Sequence, residues 1–174
     1  MLERGLIQVY TGDGKGKTTA ALGLALRAAG HGLRVYIVQF MKGSPDYGEI
    51  LAVQRQPNIS IVQFGRPDFV DRDNPDPRDI ELAQAAVRHC LDVVPNGSYD
   101  VVVLDEISVA LDFGLLSLPQ VLALFDQKPE HVELVLTGRS AHPTIIERAD
   151  LVTEMREIKH PHVAGMDARK GIEY

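Results

Sequence analysis

Two short stretches of this chain carry residue types that can do chemistry. The first is "YTGDGKGKTTAA", Tyr10 to Ala21, where Gly12, Gly14 and Gly16 alternate with Asp13, Lys15 and Lys17 before Thr18 and Thr19. Glycine lets backbone N–H groups wrap an anion without side-chain obstruction, and a helix opening at this point adds positive potential. The amides of Gly14 to Thr18 then converge on phosphate oxygens, Lys17 reaches the outer phosphates, and the Thr18 hydroxyl is offered to a magnesium ion. The spacing departs from the usual G-x-x-x-x-G-K-[ST]: five residues before Gly16 stands Thr11, and the glycine is displaced to Gly12.

The second stretch is "VVVLDE", four apolar residues followed by Asp105 and Glu106. At the carboxyl end of a buried strand beside the loop, such a pair holds magnesium directly or through water. A helix start is the plainer alternative, since carboxylates are favoured there as well. Either carboxylate suits the metal. Together the two stretches define a magnesium nucleoside-triphosphate site without naming its reaction. Hydrolysis or phosphoryl transfer would use Glu106 to orient a water and Arg27 or Arg139 as the cation.

These residues need elements to position them. "LIQVY" (Leu6 to Tyr10), "RVYIVQF" (Arg34 to Phe40), "ISIVQF" (Ile59 to Phe64), "YDVVVLDE" (Tyr99 to Glu106), "VELVLTG" (Val132 to Gly138) and "LVTEM" (Leu151 to Met155) read as strands. Several are too uniformly apolar to have a wet face, as in a parallel sheet covered on both sides. Helices fall between them: Thr18 to Ala29 ending at Gly30, one from Asp76 with Pro77 in its first turn, and one after Ser117. The second spaces Ile80, Ala83, Val87 and Leu91 along an apolar face. Repeated β-α-β order predicts a doubly wound, mostly parallel α/β domain spanning residues 1–174, with ligands at the carboxyl ends of the strands. Gly65 to Pro77 reads as a loop long enough to be functional.

The chain has 174 residues, 45% of them apolar and 24% charged, the balance of a globular domain able to bury a core. A net charge of -6 argues against nucleic acid or an anionic membrane surface as partner, since both need a basic footprint. Cys90 is the only cysteine, which excludes an internal disulfide or dithiol pair and fits a cytoplasmic home. "MLERGLIQVY" lacks the pattern of a signal peptide, and no run reaches membrane-spanning length. His160 to His162, "HPH", read as a solvated turn rather than a metal pair. Cys90 reads as core packing and His31 as part of a helix-ending loop.

"TGDGKGKTTAALGLALRAAGHG", followed by "VQFMKG", "VVVLDEI", "LTGRSAHPTIIERADLVTEM" and "IKHPHVAGMDARKGIEY", resembles the ATP:cob(I)alamin (corrinoid) adenosyltransferase family of the P-loop, RecA-like fold. The displaced glycine belongs to that family's pattern. The resemblance implies that reduced cobalt of a corrinoid attacks the ribose 5′-carbon of ATP and releases triphosphate, with ATP held in the reverse sense to other P-loop proteins. It implies Gly12 to Thr19 on the polyphosphate and Thr18 with Glu106 on magnesium. Arg27 matches a nucleotide-contacting arginine, although a solvated helix charge is an equal reading. Gln39 and Lys42 lie at a strand's carboxyl end and Arg139 directly follows a buried strand, positions that suit ligand contacts, with an ordinary loop as the plainer alternative.

Members of that family carry a "GFTW"-like stretch whose aromatics help expel the corrinoid's lower axial ligand. Here "FGRPDFV" stands in that region, there is no tryptophan, and Phe69 is the nearest candidate. An N-terminal extension that covers a partner's site in some members is not matched. The family also implies a homodimer. With no thiol pair in the chain, a reduced flavoprotein is the expected external reductant. Two other classes fit the residues alone: a P-loop ATPase or small-molecule kinase, which would release a diphosphate, and a nucleotide switch that binds without turnover.

Overall fold

The computed structural model describes residues 2–174. Six strands form one sheet: β1 (Ile7–Thr11), β2 (Val35–Phe40), β3 (Ile59–Phe64), β4 (Val101–Asp105), β5 (Glu133–Thr137) and β6 (Leu151–Glu154). Their order is β3-β2-β4-β5-β1-β6, and every pairing is parallel. Each crossover therefore needs a connecting segment, and the helices supply most of these. They are α1 (Lys17–Gly30), α2 (Gly48–Val53), α3 (Pro77–Val93), α4 (Ile107–Asp112), α5 (Leu118–Asp126) and α6 (Pro143–Arg148). A short 3₁₀ turn, Pro161–Ala164, follows β6.

Strand alternation divides the core between the two faces of the sheet. Val35 and Ile37 of β2, with Val101 and Val103 of β4, meet Ala21, Ala25 and Ala28 of α1. The intervening Tyr36, Val38 and Phe40, with Val102 and Leu104, meet Ala83, Val87 and Cys90 of α3 and Val121 and Leu124 of α5. Alanines on α1 let that helix lie close to the strands, which brings its N-terminus down to the sheet's carboxyl edge. All six strands expected from the sequence are present, with ends shifted by one or two residues.

Three details differ from the sequence reading. α1 continues through Gly30, and the left-handed residue that ends the turn is Gly32, with φ of 78°. On α3, Ile80 is exposed and Asp79 is buried instead, because Asp79 receives the Arg66 guanidinium. Charge pairing thus displaces the simple apolar stripe by one position. The six-residue helices α2, α4 and α6 are too short to impose a readable period. Cys90 is fully buried in the core, and burial pushes its thiol well above the ordinary range.

Candidate functional site

The glycine loop links β1 to α1 at the carboxyl edge. Thr11 still pairs with Glu154 of β6, and the chain turns only at Gly12, with φ of 93°. A Cβ there would lie 2.5 Å from the Met155 carbonyl oxygen, and Gly14 N–H donates to that same oxygen at 2.6 Å. The displaced glycine has its reason here: the strand runs one residue further, so the tight approach of the β6 segment falls on position 12 rather than 11. Gly16 precedes α1 without a side-chain cap, so the first-turn amides face outward for an anion. The Lys17 ammonium donates to the carbonyls of Gly12 (2.6 Å) and Gly14 (2.7 Å), which clamps the loop. Burial lowers the Lys17 pKa, Arg139 adds to the effect, and Glu106 and Asp13 oppose it.

Thr18 and Asp105 meet directly. The Thr18 hydroxyl donates to Asp105 Oδ1 at 2.8 Å and Thr137 donates to the same oxygen at 2.7 Å. Oδ2 accepts from Lys42 Nζ at 2.7 Å and Gln39 Nε2 at 3.1 Å. A carboxylate has about four acceptor positions, and all are used. Asp105 is consequently a fixed hub beneath the loop, 1% exposed. Glu106 is turned the other way by a left-handed backbone, φ 64°, and lines the open side of the site. Burial raises its pKa and neighbouring Asp105 adds to that, against the pull of Lys42, Lys17 and Arg139. For Lys42, burial acts against the ammonium, and the Asp105 carboxylate outweighs it, holding the pKa above its ordinary value.

Two cavities open at this edge. The first, about 540 Å³, is lined by Gly14 to Thr19, Leu22, Glu49 and Ala52, with His160 and Gly171 to Tyr174 opposite. The second, about 620 Å³, is lined by Asp13, Met41, Tyr47, Arg66 to Val70, Arg72, Val109, Asp112, Phe113 and Ser140. Lys42, Glu106 and Arg139 line both. The rim of the second cavity is the loop after β3. Gly65 packs against the Met41–Lys42 backbone so tightly that a Cβ would come 2.3 Å from Lys42 N. Arg66 grips Asp79 with two hydrogen bonds of 2.8 Å, while Phe69 stands fully exposed at the mouth.

Of the residues singled out from the sequence, Gly14, Lys15, Gly16, Lys17, Thr18, Thr19, Lys42, Glu106 and Arg139 share the first cavity. Asp13 and Phe69 lie on the second. Gln39 is not a surface contact: it is fully buried and donates to Asp105 from behind. Gly12 serves through its carbonyl to Lys17. Arg27 is exposed on α1 and lines neither cavity; its charge acts on Tyr10 instead. His160 is part of the first cavity's wall rather than a freely solvated turn.

Sequence reasoning passed over the wall formed by the chain's last residues and by α2. Lys15 Nζ reaches the Ile172 carbonyl at 3.3 Å, and Arg169 holds Glu173 through a side-chain bond, depressing its carboxyl to about 2. The available signal was "KGIEY", a small apolar and charged run with no period of its own. Among the described residues, no group of three or more His, Cys, Asp or Glu side chains gathers as a metal cluster, and no helix is long and apolar enough to cross a membrane.

Comparisons with known proteins agree with this geometry. The family model described as ATP:corrinoid adenosyltransferase BtuR/CobO/CobP matches residues 3–174. A corrinoid adenosyltransferase of Pseudomonas aeruginosa is 40% identical over 172 residues, covering 99% of this chain and 85% of that protein. The corrinoid adenosyltransferase CobA of Salmonella typhimurium is 38% identical, covering 99% and 87%. Among solved structures, a KaiC-like protein from Pyrococcus horikoshii superimposes with a TM-score of 0.58 at 19% identity, covering 91% of this chain and 76% of that one. That likeness bears on the fold alone, which is of the P-loop, RecA-like type.

Proposed function

The chain belongs to the ATP:corrinoid adenosyltransferase family, and from that premise we propose that its two cavities hold the two substrates side by side. It transfers the adenosyl group of ATP to a corrinoid. The triphosphate lies in the first cavity on the amides of Gly14 to Thr19, and the corrinoid enters the second. The observation that carries this arrangement is the continuity of the two cavities at Lys42, Glu106 and Arg139. A hydrolase needs room for a water beside the phosphates. A transferase to a large acceptor needs a second chamber meeting the first at the reacting carbon.

The donor set fits magnesium. Thr18 spends its proton on Asp105 and accepts from Lys42 at 3.4 Å, which leaves one hydroxyl lone pair for a cation, and Glu106 is a carboxyl group facing the cavity: hard oxygen ligands of the kind magnesium takes. Thr18 and Glu106 would hold the ion, and Asp105 would fix Thr18 rather than touch the metal. When bound, magnesium supplies positive charge to the triphosphate oxygens. The protein's own residues do the rest. Loop amides and Lys17 orient the polyphosphate, and the second cavity brings cobalt to the 5′-carbon. Attack on carbon requires no general base, so positioning and charge neutralisation suffice.

Phe69, fully exposed at the mouth of the second cavity, is assigned to displacing the corrinoid's lower axial ligand. Electrons for the cobalt come from outside, from a reduced flavoprotein, because Cys90 is buried and alone. A cytoplasmic homodimer completes the reading. Incubation with magnesium-ATP and chemically reduced cobalamin should give a light-sensitive cobalt–carbon product and inorganic triphosphate in equal amounts. Release of ADP would favour an ATPase or kinase instead.

A further inference from the structure

The place where the two cavities meet is built differently from either cavity. Three non-glycine residues among those described have a left-handed backbone: Met41 (φ 59°), Glu106 (φ 64°) and Ser140 (φ 54°). Each is, or directly adjoins, a residue lining both cavities: Met41 precedes Lys42, Glu106 is itself shared, and Ser140 follows Arg139. Such backbone is held against its own preference only where surrounding structure over-determines it, and it concentrates at functional sites. Here it aims three side chains at one passage.

The three are not equivalent. Arg139 is exposed, and Glu106 is a carboxyl group that offers no cation. Lys42 is only 19% exposed and is anchored on Asp105 at 2.7 Å, with its ammonium 3.4 Å from the Thr18 hydroxyl oxygen. An ammonium has three N–H groups, so with two directed at Asp105 and Thr18 a third is left for the passage. Lys17 cannot take this place, since it lines only the first cavity.

Charge balance says what a cation in the passage would do. As the cobalt(I) electron pair forms the bond to C5′, the C5′–O5′ bond breaks and its electrons leave with O5′. Cobalt is oxidised to the III state, the carbon is reduced, and triphosphate departs with one more negative charge than it carried in ATP. No proton is transferred. That new charge arises on the oxygen nearest the corrinoid, at the opposite end of the chain from the terminal phosphate. A donor fixed there before reaction stabilises the transition state more than the ground state.

We propose that Lys42, held at the passage by Asp105, is the catalytic cation that stabilises the charge developing on the departing O5′ oxygen of ATP. The assignment rests on the two-cavity reading above. Four proteins test it: Lys42→Met, Lys42→Arg, Asp105→Asn and the double variant Lys42→Met/Asp105→Asn, with kcat measured on pre-reduced cobalamin and binding by calorimetry. Lys42→Met should lower kcat about 100-fold, with Lys42→Arg recovering part of it, the range for loss of one preorganised donor. Affinity for inorganic triphosphate should fall about 10-fold while that for ATP changes less than about 3-fold, because only the former carries the extra charge.

Because Asp105→Asn removes the anchor of Lys42, it should itself lower kcat, and Lys42→Met added to it should cost less than in the wild-type background. If Asp105→Asn leaves kcat unchanged, or restores the activity lost in Lys42→Met, Lys42 merely neutralises Asp105 and the proposal is wrong. Equal weakening of ATP and triphosphate with kcat retained would also overturn it. Should Lys42→Met alone fail to fold, the Asp105→Asn pair makes the comparison. Diphosphate release by the wild-type chain would instead bring down the two-cavity reading, and the role of Lys42 with it.

Discussion

The glycine loop and the rim after β3 stand at the same edge of the sheet and are held in opposite ways. In the loop, the groups at its base are locked by short hydrogen bonds: Lys17 onto the loop's own Gly12 and Gly14 carbonyls, Thr18 onto Asp105, and Asp105 onto β2 and β5 through Gln39 and Thr137. The rim rests on a backbone contact at Gly65 and the Arg66–Asp79 pair, and leaves Phe69 in solvent. A binding site for a small anion of fixed shape gains from rigidity, because prepositioned donors need no reorganisation. A site for a broad planar acceptor must let it in, and tolerates a looser edge.

The sharpest way to separate the two regions is to remove Lys17. Lys17→Ala should reduce kcat/KM for ATP about 1,000-fold and abolish the thermal stabilisation given by magnesium-ATP, with corrinoid binding unchanged. A comparable loss of corrinoid affinity would mean that the regions are not independent.

Glu106→Gln comes next, with an expected loss of about 100-fold in kcat and a weakened response to magnesium titration. Its pH behaviour has a definite sign. Burial raises the folded-state pKa of Glu106 above that of the unfolded chain. Between the ordinary carboxylate range and that raised value, the folded protein keeps a proton that the unfolded chain has lost, so stability declines as pH rises. In Glu106→Gln this decline should disappear from melting curves, and at neutral pH the variant should melt no lower than wild type. Activity in the same window should rise with pH in wild type, as the carboxylate becomes available to the cation.

Phe69→Ala should act on the rim alone. With cob(II)alamin and a reductant the rate should drop about 10-fold, the equivalent of one well-placed aromatic contact, whereas pre-reduced cob(I)alamin should be used at near wild-type rate. A change in the KM for ATP would break the contrast between loop and rim.

The smallest effect belongs to the terminal wall of the first cavity. Arg169→Ala releases Glu173, and the KM for ATP should rise about 2-fold, as expected for an exposed pair, with kcat unchanged. Because Arg169 depresses Glu173 to about 2, the contact's contribution is complete above the ordinary carboxylate range and is lost as pH falls through that value. Wild type and Arg169→Ala should therefore converge in acid.

Much of this protein is determined by sequence alone because the signals are short-ranged. A run such as "VVVLDE" must be a buried strand, and "GDGKGKTT" between a strand and a helix must present amides to an anion, whatever else the chain does. Residues tens of positions apart obey no such local rule. Only the tertiary structure decided that Gln39 stands buried behind Asp105, that Asp105 is saturated while Glu106 turns outward, and that Asp79 replaces Ile80 inside. It also decided that the last residues wall the first cavity and that Lys42 lines both. Each of these is an outcome of which donors and acceptors meet across the parallel sheet, and that meeting depends on strand order, which no single stretch of sequence encodes.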